Sequence, residues 1–221
     1  MFPDGTSSNL QSYNGVKSLW FEGSHNVNDY FNGGSIYEYT AMTWSTGTDT
    51  YVGSTNGSKV TGLIIPWTAT KLTNQGLTID NSSGTITVAN NYGSMTATNI
   101  AYVGLSGLDD TVMGGSWSEE FFAGGGTDVI TGGAGIDQFN EIFSNQTKLT
   151  ITDYESYERL QFEDQWWDAT SDYNFSLADI ETQFSIAYSN SSNSTFISIN
   201  TSAFNKNNVV ELQNGNFILS Y

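Results

Sequence analysis

The chain has 221 residues, long enough for a sizeable core in one elongated domain or two small ones. Twenty-three acids stand against six bases, for a net charge of −17, which disfavours nucleic acid and anionic membranes as partners. There is no cysteine, so disulfides and thiolate metal sites are excluded, and no apolar run approaches the ~20 residues of a membrane span. The polar surface is mostly Ser, Thr, Asn and Gly, as in many β-rich extracellular proteins.

Residues 1–18 are a polar lead-in. The start Met1-Phe2-Pro3-Asp4-Gly5 has neither the basic nor the apolar region of a cleaved secretory signal. It is read as the cut end of a longer protein in preference to a native start. Leu19-Trp20-Phe21 is a short strand. Asp29 and Phe31 then form an acid–x–apolar pair ahead of Gly33-Gly34, and Glu38 follows nine residues after Asp29. Gly47-Thr48-Asp49-Thr50-Tyr51-Val52-Gly53 repeats the pair with flanking glycines. The spacing from Glu38 to Asp49 is out of phase, so these residues are a worn repeat. Asp29, Glu38 and Asp49 are its secondary cation candidates, or plain turn residues.

Residues 58–103 change character. Val60, Leu63-Ile64-Ile65, Leu77-Thr78-Ile79 and Thr85-Ile86-Thr87-Val88 are β-branched runs with alternation of period two. Asp80-Asn81-Ser82-Ser83-Gly84 is a hairpin-like turn between two of them. Ala97–Val103 is expected to be one further strand. The segment is expected to form irregular solenoid coils or a small sheet.

Gly104–Asn140 holds the clearest pattern. Gly132–Asn140 fits G-G-x-G-x-D-x-U-x, with U a large apolar residue, at every fixed position. Ala123–Thr131 fits in the same phase with Ala123 replacing one glycine. Gly114–Phe122 is a poorer copy, with Trp117 in the second glycine slot, Glu119 in the acid slot and Phe121 in the apolar slot. One step earlier Asp110 and Val112 hold the acid and apolar slots. Six residues per turn and three per strand, with turns alternating between two edges, bring Asp110 over Asp128 and Glu119 over Asp137. Neighbouring strands lie roughly 4.8 Å apart. Carboxylates stacked at that distance repel unless a cation lies between them. A hard, oxygen-loving ion such as Ca²⁺ suits the site, and Mg²⁺ is less suited because it demands a tighter octahedron. Asp110, Glu119, Asp128 and Asp137 are the candidate carboxylates, with the neighbouring Asp109. Gly124, Gly126, Gly133 and Gly135 are the candidate turn carbonyls.

These residues resemble the glycine-rich nonapeptide repeats of RTX proteins, which bind calcium in a parallel β-roll and leave the cell by type I secretion. The resemblance implies a chain that stays unfolded where calcium is scarce and folds outside the cell. It covers the second half of the chain strongly and the first quarter faintly. Asn99–Gly104 is similar to the strand that precedes such arrays. Lys148–Tyr154 followed by Leu160-Gln161-Phe162 resembles the capping strands of serralysin-like exoproteins, whose C-terminal regions also carry the secretion signal. Ser176-Leu177-Ala178-Asp179 has the form of a helix cap, and Leu177, Ile180 and Phe184 predict a short helix over about 177–185. Ser194–Asn200 and Asn208–Gln213 are predicted strands.

The expected architecture is therefore all-β. A β-rich solenoid-like segment with degenerate repeats occupies residues 1–103, and a calcium-binding parallel β-roll occupies 104–140. A β cap with one short helix occupies 141–221. Catalysis is not expected. His25 is the only histidine, so H-E-x-x-H is impossible, and no G-x-S-x-G or phosphate loop is present. The acids Glu155, Glu158, Glu163 and Asp164 show no spacing that selects a glycosidase pair, and they read as a solvated acidic face. A calcium-dependent lyase would want a base near its metal, yet the single arginine, Arg159, lies outside the repeats. Two non-catalytic readings stand. One is a calcium-folded module of a secreted or cell-surface protein, passed by type I secretion machinery. The other is a calcium-dependent adhesin or carbohydrate-binding module for a polysaccharide or cell-surface glycan. In the second, Trp117, Trp166 and Trp167 would stack on sugar rings.

Overall fold

The computed structural model describes residues 18–23, 26–34, 39–53, 60–64, 74–142, 147–163, 184–199 and 208–215. All regular structure in them is strand. Numbered in chain order, one sheet runs β1 (Ser18–Glu22), β3 (Tyr39–Thr43), β5 (Val60–Ile64), β9 (Tyr102–Gly104), β11 (Glu120–Ala123), β13 (Gln138–Ile142) and β15 (Arg159–Glu163), all parallel. The other sheet begins at one end with β2 (Tyr30–Asn32), β4 (Thr48–Val52), β8 (Gly93–Thr98), β7 (Ile86–Asn90) and β6 (Thr78–Asp80). It continues through β10 (Thr111–Met113), β12 (Gly126–Thr131) and β14 (Thr147–Ile151) to β18 (Asn208–Gln213), β17 (Ser194–Ile199) and β16 (Phe184–Ser189). From β1 to β5, and again from β9 to β15, successive strands alternate between the sheets. Each return places a strand beside the one two before it, and the pairing is therefore parallel.

The repeat block explains its own strands. Val112, Phe121, Ile130 and Phe139, the four apolar slots, are all buried. They belong to one apolar core that draws on both sheets and also takes in Tyr51, Ile79, Val88, Leu149 and Val210. Strands β10 and β12 pair Val112 with Ile130, and β11 and β13 pair Phe121 with Phe139. The two phenylalanine rings stack 5.6 Å apart. The predicted 18-residue register is thus present. After the block the register lengthens, with Gly126 opposite Thr147 and Gln138 opposite Arg159.

Two antiparallel insertions interrupt the pattern. Strands β6, β7 and β8 form a meander between β10 and β4, so residues 78–98 are an integral part of the second sheet. The predicted turn Asp80–Gly84 joins β6 to β7, with the Asp80 carboxylate accepting the Ser82 N–H at 2.8 Å and Gly84 at φ +80. Strands β16 to β18 form the second meander beside β14.

One expectation needs correction, and a second meets the described residues only at its end. Ala97–Val103 is not one strand: β8 ends at Thr98, Asn99 takes a positive φ of 58, and β9 starts in the other sheet. Asparagine tolerates that left-handed conformation, and the chain uses it to change sheets. In the helix predicted over about 177–185, Phe184 and Ser185 open β16, where they pair with Ile199 and Ser198. The rest of that expected helix, 177–183, lies outside the described residues. No helix among the described residues is long and apolar enough to cross a membrane.

Truncating Phe139 to alanine removes a wholly buried ring and its stacking on Phe121. The expected loss is about 3–5 kcal/mol in denaturant unfolding. Truncating Ile136, 62 % exposed one turn-position earlier, is expected to change stability by less than about 0.5 kcal/mol.

Candidate cation-binding turns

Two edges of the molecule carry the acids. On the first edge, the turn after β9 brings Asp110 inward. Its Oδ1 accepts the Leu77 N–H at 2.7 Å and the Ser106 hydroxyl at 2.9 Å, and its Oδ2 accepts the Ser106 N–H at 2.7 Å. The Asp110 N–H donates in turn to Asp128 Oδ1, at 2.9 Å and 18 residues on. Asp110 and Asp128 are both buried, and they stack as the repeat predicts. Asp109 is exposed and ties the same two turns from outside, accepting the Thr127 N–H at 2.7 Å.

On the second edge, Glu119 Oε1 accepts from Asn81 Nδ2 and Oε2 accepts the Gly115 N–H at 2.6 Å. The Glu119 N–H donates to Asp137 Oδ1 at 2.8 Å, again 18 residues on. Asp137 is wholly buried, and its Oδ2 has no N–H or hydroxyl donor; the Glu158 carboxyl is the side chain that hydrogen-bonds with the Asp137 carboxyl. Past the repeats the column continues. The β13–β15 register sets Glu158 beside Asp137, with the Arg159 N–H on the Asp137 carbonyl at 3.0 Å. Glu158 Oε2 accepts the Glu155 N–H at 2.7 Å. Asp153 accepts the Gly132 and Gly133 N–H groups, one on each oxygen, at 2.8 Å.

Burial pushes the Asp110 carboxyl up to about 6, against the pull of its three hydrogen bonds. Burial also raises Glu119 and Asp137. Glu158 rises to about 7, through burial first and then the charges of Asp137 and Asp153, with no cationic side chain among the groups that set it. Glu158 is therefore part of a crowded acidic column, which corrects its reading as a freely solvated face.

The glycines explain how the turns come so close. A Cβ on Gly124 would stand 2.0 Å from the Ser106 carbonyl oxygen. Gly126, Gly133 and Gly135 have φ of 94, 95 and 141, which side chains resist. Successive turns are stacked backbone to backbone.

Asp49, near the start of the chain, shares this design. Its Oδ1 accepts the Asp29 N–H at 2.9 Å, and Oδ2 accepts the Ser45 hydroxyl at 2.8 Å. Ser45 precedes Asp49 by four residues, as Ser106 precedes Asp110. Asp49 is buried and raised to about 6, chiefly by that burial, whereas Asp29 is half-buried. The β6–β8 meander separates this pair from the repeat acids within the sheet. Trp117 is 45 % exposed, and its ring lies against Gly84 of the hairpin turn. Glu38, Trp166, Trp167 and His25 lie outside the described residues.

Among the described residues, no three Asp, Glu, His or Cys side chains converge as a ready-made metal cage. The columns instead present one acid per turn, so an ion between turns would take two carboxylates and complete its shell with turn carbonyls. Asp137 fits that role: a buried carboxylate oxygen without a donor is costly and suits a cation. The sequence reading missed Asn81, Asp153 and Glu158 as column members. A search for acids at spacings near the array period would have found Glu158, which lies opposite Asp137 once that period lengthens by three.

No protein-family model matches the chain, and none of the curated proteins is similar to it in sequence.

The raised acids set a pH dependence for the metal-free fold. Asp110 and Asp49 keep their protons to about 6 when folded and to near 3.8 when unfolded. The folded state then binds more protons between those values, and stability falls as pH rises through them. In chelator, the β signal in circular dichroism is expected to be larger at pH 4.5 than at pH 7. Saturating calcium is expected to reverse the order, because protons then compete with the ion.

Proposed function

We propose that the chain is a non-catalytic calcium-binding module whose two sheets form a parallel β-roll of the RTX kind. On this reading it serves in a secreted, extracellular or cell-surface protein and folds after export by a type I route. The observation that carries the proposal is the pair of acid columns. Asp110 and Asp128 stack on one edge, and Glu119 and Asp137 on the other, with Asp137 Oδ2 buried, without an N–H or hydroxyl donor, and the Glu158 carboxyl as its acidic neighbour. Bound calcium supplies the positive charge that the columns lack. Asp110, Glu119, Asp128 and Asp137 hold it, Glu158 extends the second column, and Gly124, Gly126, Gly133 and Gly135 contribute carbonyls.

Without the ion, like charges in neighbouring turns oppose closure, and a chain with net charge −17 repels itself throughout. With the ion in hundredfold excess over its Kd, each site adds about 2.7 kcal/mol of stability. Export as an open chain and folding outside follow from that difference.

Circular dichroism of the chain in chelator, followed by calcium titration, tests the proposal. A gain of β signal with calcium is expected. A fully folded spectrum in chelator that calcium leaves unchanged overturns it. Asp128→Ala is expected to raise the calcium midpoint more than Asp49→Ala, because Asp128 stands in a column of stacked repeat acids from which the β6–β8 meander separates Asp49.

The exposed Trp117 ring favours a second reading, in which the same calcium-bound module holds a polysaccharide or surface glycan. A glycan array in calcium is expected to show signal that Trp117→Ala abolishes while folding persists. Equal signal from the variant removes Trp117 from that role.

A further inference from the structure

The second column begins outside the repeats, at Asn81. This residue closes β6 in the hairpin turn and is 3 % exposed. Its backbone is satisfied: the N–H donates to the Met113 carbonyl at 2.7 Å, and the carbonyl accepts the Gly84 N–H at 2.9 Å. Its side chain is not. Nδ2 donates to Glu119 Oε1, and Oδ1 is buried without a partner. The two turns meet closely, since a Cβ on Gly115 would stand 3.1 Å from Asn81 Nδ2. The Trp117 ring, 2.9 Å from where a Gly84 Cβ would stand, covers the same hairpin turn. Asn81, Glu119, Asp137 and Glu158 thus follow one another turn by turn, and a neutral amide holds the first place in a column of acids.

We propose that Asn81 and Glu119 together form a site for a hard divalent cation that ties the β6–β8 meander to the repeat block. The proposal rests on the reading above that the repeat turns take calcium. An amide oxygen and a carboxylate are ordinary ligands of such an ion. A half-turn of the Asn81 amide about its last torsion exchanges Nδ2 for Oδ1 at Glu119. The ion then replaces the amide proton as the positive partner of Glu119 and takes Oδ1 as a ligand, while Nδ2 moves to the place that Oδ1 leaves. The site needs no glycine-rich motif of its own, because the hairpin turn already sits against the turn that carries Glu119. It makes the junction between the antiparallel meander and the parallel block responsive to calcium.

The test uses the full chain, with calorimetric calcium titration and denaturant unfolding in chelator and in calcium. Asn81→Ala is expected to bind one ion fewer while keeping its β spectrum. Asn81→Asp sets a second carboxylate against Glu119. It is expected to be less stable than wild type in chelator, to recover to at least wild-type stability in calcium, and to bind one ion at least tenfold more tightly. Equal destabilisation of Asn81→Asp with and without calcium overturns the proposal, as does an unchanged ion count in Asn81→Ala. Asn81 would then serve only as a hydrogen-bond donor to Glu119. Asp128→Asn on the opposite edge separates the two ideas: a calcium response that it leaves unchanged overturns the reading of the repeats, whereas the Asn81 variants judge this junction site alone.

Discussion

The structure depends on what partners a carboxylate buried in a turn. Each acid column reuses one solution. A backbone N–H or hydroxyl four residues earlier binds the carboxylate, and the acid's own N–H passes to the next acid along the edge. Ser106 and Asp110 do this, as do Gly115 and Glu119. Hydrogen bonds of this kind orient a carboxylate without neutralising it. Burial still raises Asp110 and Glu119, and Asp137 keeps one oxygen with no N–H or hydroxyl donor. Among the described residues, no basic side chain is one of the groups that set the shifts of Asp110, Glu119, Asp137 and Glu158.

The geometry that crowds the acids also makes the core. Within the repeat block, the strands that alternate between the two sheets return at a constant interval, so apolar slots fall on apolar slots. Phe121 over Phe139 and Val112 beside Ile130 follow from the same 18-residue interval that stacks Asp110 on Asp128 and Glu119 on Asp137. Slipping the pairing of one strand by a residue would turn its inward side chains outward. Apolar packing and the acid columns are therefore two consequences of one register. The antiparallel meander obeys a different rule. It pairs residues close in the chain, such as Ile79 with Val88, and Asp80, the carboxylate in its first turn, faces solvent. It lends the second sheet a stretch held by local pairing between two stretches held by distant returns.

Where a residue's role depended on spacing along the chain, it was legible. The repeat phase placed all four apolar slots in the core and paired the acids correctly. The turn Asp80–Gly84 could be read from its own composition. Where the role depended on which strands became neighbours, spacing failed. Ala97–Val103 looked like one strand because nothing in its apolar pattern marks the change of sheet at Asn99. Phe184 matched a helical stripe, yet it pairs with Ile199 across a hairpin. Glu158 looked like one of several surface acids until the longer return after β13 set it beside Asp137. Asp49 looked weaker than the repeat acids because its glycines are worn, but its burial and donors match those of Asp110.

By itself, then, the sequence determined the all-β class, the repeat interval, the inward apolar slots and the excess of acid over base. Each of these is a local or compositional property, carried by glycine conformations, alternation and charge. The tertiary structure alone decided that a meander lies between the worn and the clear repeats, that Asn81 heads the second acid column, and that Asp153 and Glu158 extend it. Those outcomes depend on strand neighbours far apart in the chain, which only the closed sheets bring into contact.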